Sequence, residues 1–346
     1  MATKTDTKLL VALQLIGSPT SQFFYNLSVL YGKQVVTPLG FELLFVMAYP
    51  DGNWSVGSSV EKQSQKMSLE ELIPKVKHAD LAVPHMFCQT GLTAIRSLFE
   101  DILQIPMVGS TAATLQLAQD KHLTKLIAKD VEVSVPESLL LEFPDLDTLR
   151  NNDLEFPLIV KPNHSDNSDG LSLVYSEDQF KQSCINAFNY DSEILIETYI
   201  PGRELRGAII EIDDGFMSLP FIEYQVSVKQ PIRNPEDKLK FDDENNLVSQ
   251  SDKLNIPAVC PAILDQHLLE ELTNMMITMH KALKCRDFSM YDFRIHAETG
   301  KPYLLETGLF WSFSKNSMIS NMLSVDKINL LEITGDIWRQ AVSRNA

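Results

Sequence analysis

The sequence predicts an α/β protein with a small parallel sheet near the N-terminus and an antiparallel sheet packed with helices in its last third. In the first hundred residues, apolar runs alternate with helix-like segments, which is typical of a parallel sheet with helices on both faces. Further on, paired apolar runs flank turn residues, which is typical of hairpins. A length of 346 residues is sufficient for two or three such domains.

Three apolar runs predict the first strands: Leu9–Ile16, Phe41–Ala48 and Leu81–Pro84. Helices are expected between them, one of which begins at the capping box that starts with Ser68. Another helix is expected at 92–103, followed by a short strand at Met107 and Val108. Ligands of such sheets bind at the carboxyl ends of the strands. The chain contains neither G-x-G-x-x-G after the first strand nor G-x-x-x-x-G-K-[ST], which argues against a P-loop enzyme or a standard dinucleotide enzyme.

In the middle of the chain, the segment 156–162 contains an apolar strand that is followed directly by Lys161, and the polar loop 163–170 comes next. Backbone N–H groups and hydroxyls in such a loop can bind phosphate oxygens. Further strands are predicted at 171–174 and 193–197, with a helix beginning at Ser176 between them. On its own, this polar loop is a weak indication of a binding site.

The last third begins with a predicted hairpin, whose strands 206–212 and 217–223 flank an Asp-Asp-Gly turn. The polar stretch 227–258 has the length of a lid or a disordered loop. Asp265–Leu283 has the apolar spacing of an amphipathic helix, and its methionine stripe is interpreted as core. Two short helices are expected near the C-terminus.

The segment Tyr291–Thr307 predicts a second hairpin, with its centre at Thr299. Asp292 lies seven residues before this centre and Glu306 seven residues after it. The two carboxylates should therefore face each other, with Cβ atoms roughly 5 Å apart. Such a pair suits Mg²⁺, which takes one or two carboxylates together with substrate phosphates. On the hairpin alone, two unrelated surface acids remain the alternative interpretation.

Composition excludes several classes of protein. A net charge of −16 argues against binding to nucleic acid or to an anionic membrane, because phosphate binding needs a basic surface. The four cysteines lack metal-site spacing and are expected to be thiols in a reducing compartment. The first apolar run is too short to span a bilayer and is interpreted as a strand and not as a signal peptide, so a cytoplasmic protein is expected.

Taken in order, these motifs resemble those of ATP-grasp ligases, specifically the D-alanine–D-alanine ligase-like branch. The resemblance covers about Leu9 to Ala341. It implies an N-terminal α/β domain (1–108), a central lid domain (109–198) and a C-terminal catalytic domain with an antiparallel sheet (199–346). It also implies that the protein binds ATP and two Mg²⁺ ions, acts on a small-molecule acceptor and an amino acid, and forms a homodimer.

The resemblance implies roles for individual residues. Contacts to the nucleotide are implied for Lys121, Lys161, Ser168, Gly170, Glu197, Thr198, Ile200, Glu204 and Lys238. Within this set, the two first lysines and the lid residue Lys238 would contact phosphate, the backbone of Thr198 and Ile200 would read the adenine, and Glu204 would hold the ribose. Asp292 and Glu306 fall on the metal ligands, and Arg294, Lys238 and Ser168 on catalytic positions. His85, Lys315 and Ser317 would line the substrate site.

The chain departs from this family where the acceptor would bind. The acid expected after the first strand is missing from 17–24, an arginine is replaced by Met290, and an asparagine ligand is replaced by Gly308. Arg294 shares a strand face with Asp292 and is expected to supply the missing positive charge. The aromatic residues that suggest a larger or flatter first substrate are Phe23, Phe24, Phe310 and Trp311.

This pattern most resembles the ligases that complete mycosporine-like amino acids. The resemblance implies that ATP phosphorylates the ring carbonyl oxygen of mycosporine–glycine and that the amine of a serine- or threonine-like amino acid displaces the phosphate to leave an imine. Two alternatives stay open. One is a D-amino-acid or dipeptide ligase that acts through an acyl phosphate, and the other is a non-catalytic nucleotide-binding regulator.

Overall fold

The computed structural model describes most of the chain. The described residues are 8–143, 149, 152, 154–165, 168–213, 215–234, 237, 240–241, 247–248, 256–309, 313–315 and 317–344. Within them, no helix combines the length and the apolar character needed to cross a membrane.

The first sheet has the order β3-β2-β1-β4. Its strands are β1 (Leu10–Gly17), β2 (Phe41–Ala48), β3 (Trp54–Gly57) and β4 (Leu81–Pro84). The pairs β1–β2 and β1–β4 are parallel, as predicted, whereas the unpredicted edge strand β3 runs antiparallel to β2. Helices α1 (Gln22–Gly32) and α2 (Leu69–Val76) connect these strands.

A four-stranded antiparallel sheet follows, with the order β5-β8-β6-β7. Its strands are β5 (Ser138–Leu141), β6 (Leu158–Pro162), β7 (Ser172–Val174) and β8 (Ile194–Thr198). Before it come α3 (Ala112–Gln119) and α4 (Lys121–Asp130), and α5 (Glu177–Ala187) packs on its apolar face.

The last large sheet has the order β14-β11-β9-β15-β16, with β10 also paired to β9. Its strands are β9 (Gly202–Ile212), β10 (Gly215–Ser218), β11 (Ile222–Tyr224), β14 (Ala258–Val259), β15 (Phe288–His296) and β16 (Pro302–Gly308). A separate ribbon consists of β12 (Lys240–Phe241) and β13 (Leu247–Val248). The remaining helices are α6 (Gln266–Ala282), α7 (Met318–Val325) and α8 (Leu330–Ser343).

Side-chain caps fix where these eight helices begin. The side chain of each N-cap residue accepts a hydrogen bond from a backbone N–H in the first turn, and Ser68 forms the predicted capping box with Glu71. The other caps are Ser21, Thr111, Asp120, Ser176, Asp265, Ser317 and Asn329. Because these side chains satisfy otherwise unpaired donors, helix starts can be read directly from the sequence.

Three local expectations differ from the structure. The helix expected at 92–103 contains two π-helical segments, 91–95 and 98–102. The short strand expected at Met107 is a single parallel bridge to Ala82. The strand expected at 217–223 divides into β10 and β11 around Pro220, since proline has no N–H with which to continue the ladder. The domain boundaries 108/109 and 198/199 stay predictions.

Cores form beneath each sheet. The predicted methionine stripe of α6 is buried against β9 and β15, as expected for a core face. The four cysteines are free thiols, and three of them are buried.

His85 generates a pH-dependent contribution to stability. It is 2% exposed at the end of β4, with its Nε2 2.9 Å from Gln14 Oε1, and burial lowers its pKa from 6.5 to about 4. His85 is therefore protonated below about pH 6.5 in the unfolded chain but only below about pH 4 in the native protein. This contribution is complete above pH 6.5 and is lost as the pH falls towards 4.

We predict that the free energy of unfolding of wild type falls by about 2 kcal/mol between pH 7.5 and 5 because His85 becomes protonated in the unfolded chain. His85→Gln should remove this part of the slope of unfolding free energy against pH. Urea titrations at both pH values provide the measurement. His267→Gln is the control, because His267 is exposed and should leave the slope unchanged. Equal slopes in wild type and His85→Gln would contradict the burial of a neutral imidazole.

Candidate functional site

A cavity between the central and the last sheet contains most of the predicted nucleotide and metal residues. It encloses about 780 Å³, including the part that is open to solvent. The predicted residues that line it are Lys121, Lys161, Ser168, Glu197, Thr198, Ile200, Glu204, Asp292, Arg294 and Glu306.

Part of the lining of this cavity is apolar. The apolar residues include Ile159, Leu171, Tyr199, Ile232 and Leu305. Flat apolar surfaces of this kind bury an aromatic ring such as adenine and leave its edges to backbone groups.

The backbone that was expected to read the adenine belongs to β8 and to the residues just after it. The N–H of Thr198 already donates to the carbonyl of Glu137 at 2.9 Å, and the N–H of Tyr199 donates to the carbonyl of Pro157. Ile200 is 7% exposed and lines the cavity. A contact between Thr198 and the base would therefore use an atom other than its N–H.

Two lysines share one buried carboxylate. Nζ of Lys161 and Nζ of Lys125 lie 2.9 and 3.0 Å from Oε1 of Glu197. Burial lowers the pKa of Lys125 to about 8, and although burial alone would raise the pKa of Glu197, the two ammonium groups lower it. Sequence reasoning assigned no role to Lys125, although the i+4 spacing from Lys121 places both lysines on one face of α4.

The polar loop after β6 is fastened at its base. Nζ of Lys121 donates to the carbonyl of Ser165 at 2.6 Å and to that of Asn163 at 3.2 Å. Ser168 and Gly170 have left-handed φ values of +66° and +71°. A Cβ on Gly170 would lie 2.8 Å from Pro162 Cγ, so glycine fits both the conformation and the space.

The hairpin geometry predicted from the sequence is confirmed. β15 and β16 are antiparallel, and Asp292 is registered opposite Glu306. A bulge follows at Asp292/Phe293, so the exact symmetry about Thr299 is lost only towards the turn. The two residues are thus neighbours across the hairpin, and both line the cavity.

The charge beside Asp292 comes from a residue that the sequence did not reveal. On the other side of β15, Arg206 of β9 is registered opposite Asp292. Its Nε and Nη2 donate to the two carboxylate oxygens of Asp292, both at 2.5 Å. Burial disfavours the charged guanidinium, yet Asp292 raises the pKa of Arg206 well above its usual value.

Arg294, the residue expected to supply this charge, lies elsewhere in the same cavity. Its Nη2 donates to Glu204 at 2.9 Å and to the carbonyl of Pro231 at 2.5 Å. The other oxygen of Glu204 accepts a hydrogen bond from Nε of Arg233. Because a carboxylate offers about four acceptor positions, Glu204 can still accept from a ribose hydroxyl while both arginines remain bound.

The predicted substrate residues lie outside the cavity lining. Ser317 caps α7 and is 5% exposed, Lys315 is exposed, and His85 is buried at the end of β4. Lys238 lies outside the described residues. So do Phe310 and Trp311, while Phe23 and Phe24 are neighbours on α1 with ring centroids 5.2 Å apart. The roles assigned to these residues stay predictions.

The donor set at the hairpin fits Mg²⁺. Asp292 and Glu306 provide hard oxygen ligands and line the same cavity as Lys121 and Lys161. Met290 and Gly308, at the neighbouring positions of the hairpin, supply no carboxylate or amide oxygen from their side chains.

Comparison with known proteins agrees with this geometry. Residues 140–334, more than half of the chain, match the family described as the D-ala D-ala ligase C-terminus. A D-alanine–D-alanine ligase from Acetivibrio thermocellus is 28% identical over 78% of this chain and 70% of its own length.

Solved structures share the fold. A D-alanine–D-alanine ligase from Bacillus anthracis in complex with ATP superposes with a TM-score of 0.72 at 20% identity, covering 97% of this chain and 98% of its own. The VanG D-Ala:D-Ser ligase from Enterococcus faecalis gives a TM-score of 0.76 at 17% identity, covering 96% and 99%. The predicted arrangement of a parallel α/β domain followed by the two ATP-grasp domains is therefore confirmed as a fold.

The shared carboxylate gives a stability prediction. Glu197→Gln should lower the free energy of unfolding by about 3–5 kcal/mol, because it leaves two buried ammonium groups facing a neutral amide. Urea denaturation at pH 7.5 measures this change. Glu137→Gln is the control: it breaks the exposed pair with Lys129 and should cost less than about 1 kcal/mol. Similar losses in the two variants would show that Glu197 is not the internal counter-ion.

Proposed function

We propose a reaction for this protein from one premise: the chain belongs to the D-alanine–D-alanine ligase family and is an ADP-forming ATP-grasp ligase. In the proposed reaction, a carboxylate is phosphorylated by ATP and the resulting acyl phosphate is attacked by the amine of an amino acid. The enzyme is thus a D-amino-acid or dipeptide ligase.

The observation that supports this proposal best is the placement of the facing carboxylates Asp292 and Glu306 in one cavity with Lys121 and Lys161. Two carboxylates bind divalent cations, and two lysines bind phosphate oxygens. When bound, Mg²⁺ would neutralise the charge that develops on the transferred phosphoryl group. Such preorganised positive charge is the main source of catalysis in phosphoryl transfer.

The residues of the chain would act by positioning. Lys121 would exchange the carbonyls of Ser165 and Asn163 for phosphate oxygens. Lys161 would also contact phosphate, while its ion pair with Glu197 holds its ammonium group in place. Ser165, Ser168 and Asp169 of the polar loop line the cavity, and this loop would exclude water from the acyl phosphate, which water would otherwise hydrolyse.

The atoms balance as follows. A carboxylate oxygen of the first substrate attacks the γ-phosphorus of ATP, and the bond to the β–γ bridging oxygen breaks to release ADP. The amine nitrogen of the second substrate attacks the acyl carbon, loses a proton, and expels phosphate. The released phosphate therefore carries one oxygen from the first substrate.

A second candidate reaction is favoured by the composition of the segment after β1. Ser18 and Thr20, which follow β1, pair their hydroxyls at 2.9 Å, and this segment offers no carboxylate to hold a substrate amine. That departure fits a first substrate without a free amine, such as mycosporine–glycine. ATP would then phosphorylate its ring carbonyl oxygen, and the amine of serine or threonine would displace phosphate to form an imine.

Substrate-dependent ADP release distinguishes the two reactions. With Mg²⁺, ATP and D-alanine or another D-amino acid, we expect the enzyme to release ADP and to form a dipeptide that mass spectrometry detects. For the second reaction, ADP would form only when mycosporine–glycine and an amino acid are both present, with a red-shifted ultraviolet band.

Labelled oxygen provides the control for mechanism. ¹⁸O in the substrate carboxylate should appear in phosphate for the acyl phosphate route, and ¹⁸O in the ring carbonyl should do so for the imine route. Two outcomes would refute both reactions: ADP release in the absence of any acceptor, and no ADP release with any of these compounds. Gel filtration tests the homodimer that is expected by analogy with related ligases.

The metal assignment gives a further prediction. Glu306→Gln should reduce kcat by about 100- to 1000-fold and weaken ATP binding much less, because the carboxylate acts mainly on charge that develops during transfer. Steady-state kinetics and nucleotide titration measure the two effects. Glu298→Gln, in the exposed turn of the same hairpin, should match wild type. Turnover close to wild type in Glu306→Gln would refute the assignment.

A further inference from the structure

The guanidinium of Arg206 has one strong partner and one weak partner. Two of its nitrogens donate to Asp292. The third, Nη1, points at the thioether sulfur of Met318, 3.3 Å away. A thioether is a weak acceptor, so this buried cation directs a donor at a position where it is poorly satisfied. The side chain is 12% exposed.

The neighbouring arginines differ from Arg206 in this respect. Both Arg233 and Arg294 donate to Glu204, and Arg294 also donates to the carbonyl of Pro231. The ring of Tyr224 lies 3.6 Å from the Arg233 guanidinium carbon and 5.7 Å from that of Arg206. Arg233 and Arg294 thus keep strong partners when Asp292 does not take part, whereas Arg206 does not.

A divalent cation at Asp292 would change the partner of Arg206. The cation and the guanidinium would compete for the same two oxygens of Asp292. Two positive charges bound to one carboxylate also repel each other. Metal binding therefore weakens the only strong interaction that Arg206 makes among the described residues. An anion that could accept from Nη1 would then become the better partner.

The position of Nη1 indicates where that anion would lie. Met318 is the first residue of α7, next to the cap Ser317. The N-terminus of a helix carries unpaired N–H groups and a partial positive charge, which favour anions. Arg206 therefore bridges the metal carboxylate Asp292 and the start of this helix.

We propose that Arg206 binds the carboxylate of the amine-donating amino acid, and that Asp292 holds its guanidinium until a divalent cation displaces it. This inference rests on the proposed function, since both candidate reactions use an amino acid as the amine donor. It makes Arg206 a specificity-determining residue, and it couples metal binding to recognition of that substrate.

The first test measures the metal alone. Mn²⁺ binding to the nucleotide-free protein is followed by electron paramagnetic resonance for wild type, Arg206→Met and Arg203→Met. Removing the competing guanidinium should tighten Mn²⁺ binding about tenfold in Arg206→Met. Arg203 is on the same strand and pairs with Glu223, away from the metal carboxylates, so its variant should match wild type. Unchanged Mn²⁺ affinity in Arg206→Met would overturn the competition.

Thermal denaturation gives a second measure of the same competition. Arg206→Met leaves the carboxylate of Asp292, which is 5% exposed, without its bidentate partner. Added Mn²⁺ should therefore raise the melting temperature of this variant more than that of wild type. If Arg206→Met fails to fold, Arg206→Lys takes its place, because a lysine keeps the charge but lacks the paired donors that grip both oxygens.

The substrate half is tested with D-alanine and L-serine as amine donors against their carboxamides, which keep the amine and lack the anionic carboxylate. The first substrate is held at saturation in every assay, D-alanine for the acyl phosphate reaction and mycosporine–glycine for the imine reaction, and each ligated product is quantified by mass spectrometry. Wild type should favour the amino acid over its amide by about 100-fold in kcat/KM. Arg206→Met should reduce that ratio below about fivefold, chiefly through KM, and Arg203→Met should preserve it. An unchanged ratio in Arg206→Met would overturn the assignment of the carboxylate.

The two halves can fail separately. If neither amino acid supports ADP release by wild type, the proposed function and the carboxylate assignment fail together, while the Mn²⁺ titration still decides whether Arg206 competes with metal. If ADP release is normal and the Mn²⁺ affinities are equal, the proposed function stands and this inference is wrong.

Discussion

The site depends on the register of three neighbouring strands. β15 lies between β9 and β16, so that Asp292 faces Arg206 on one side and Glu306 on the other. On the same face, Glu204 of β9 is registered opposite Arg294. A slip of one residue would turn these charged side chains to the opposite face of the sheet and would bury apolar neighbours in their place. The central position of β15 therefore brings together residues that are far apart in sequence.

Ion pairs limit the cost of burying so many charges. Arg206 pairs with Asp292 and two arginines share Glu204 in this sheet, while two lysines share Glu197 of the central sheet, so five cations face three carboxylates. An isolated buried charge is costly, so each group needs a partner before the substrates arrive. Under the proposed function, the excess positive charge of these groups would face the phosphates of the nucleotide, where preorganised positive charge stabilises the transferred phosphoryl group.

The sequence predicted what depends on local spacing. Caps located the helix starts, and equal distances from Thr299 placed Asp292 opposite Glu306. The role of Arg206 escaped prediction because its contact with Asp292 spans 86 residues and depends on which strand lies beside β15. Sheet order carries little local signal, since a strand pattern shows which residues share a face but not which strand is the neighbour. The lid residue Lys238 lies outside the described residues.

A hydrogen-bonded joint between Gly109 and Asp287 fastens the π-helical region to this sheet. Asp287, immediately before β15, accepts from the N–H of Gly109 at 2.6 Å. The carbonyl of Gly109 accepts from Arg96 and Arg286. The joint thus connects the π-helical region and the first sheet to the start of β15 through groups that are largely removed from water. Because Arg96, Arg286 and Asp287 all meet at the backbone of Gly109, the joint fixes the π-helical region against the strand that carries Asp292.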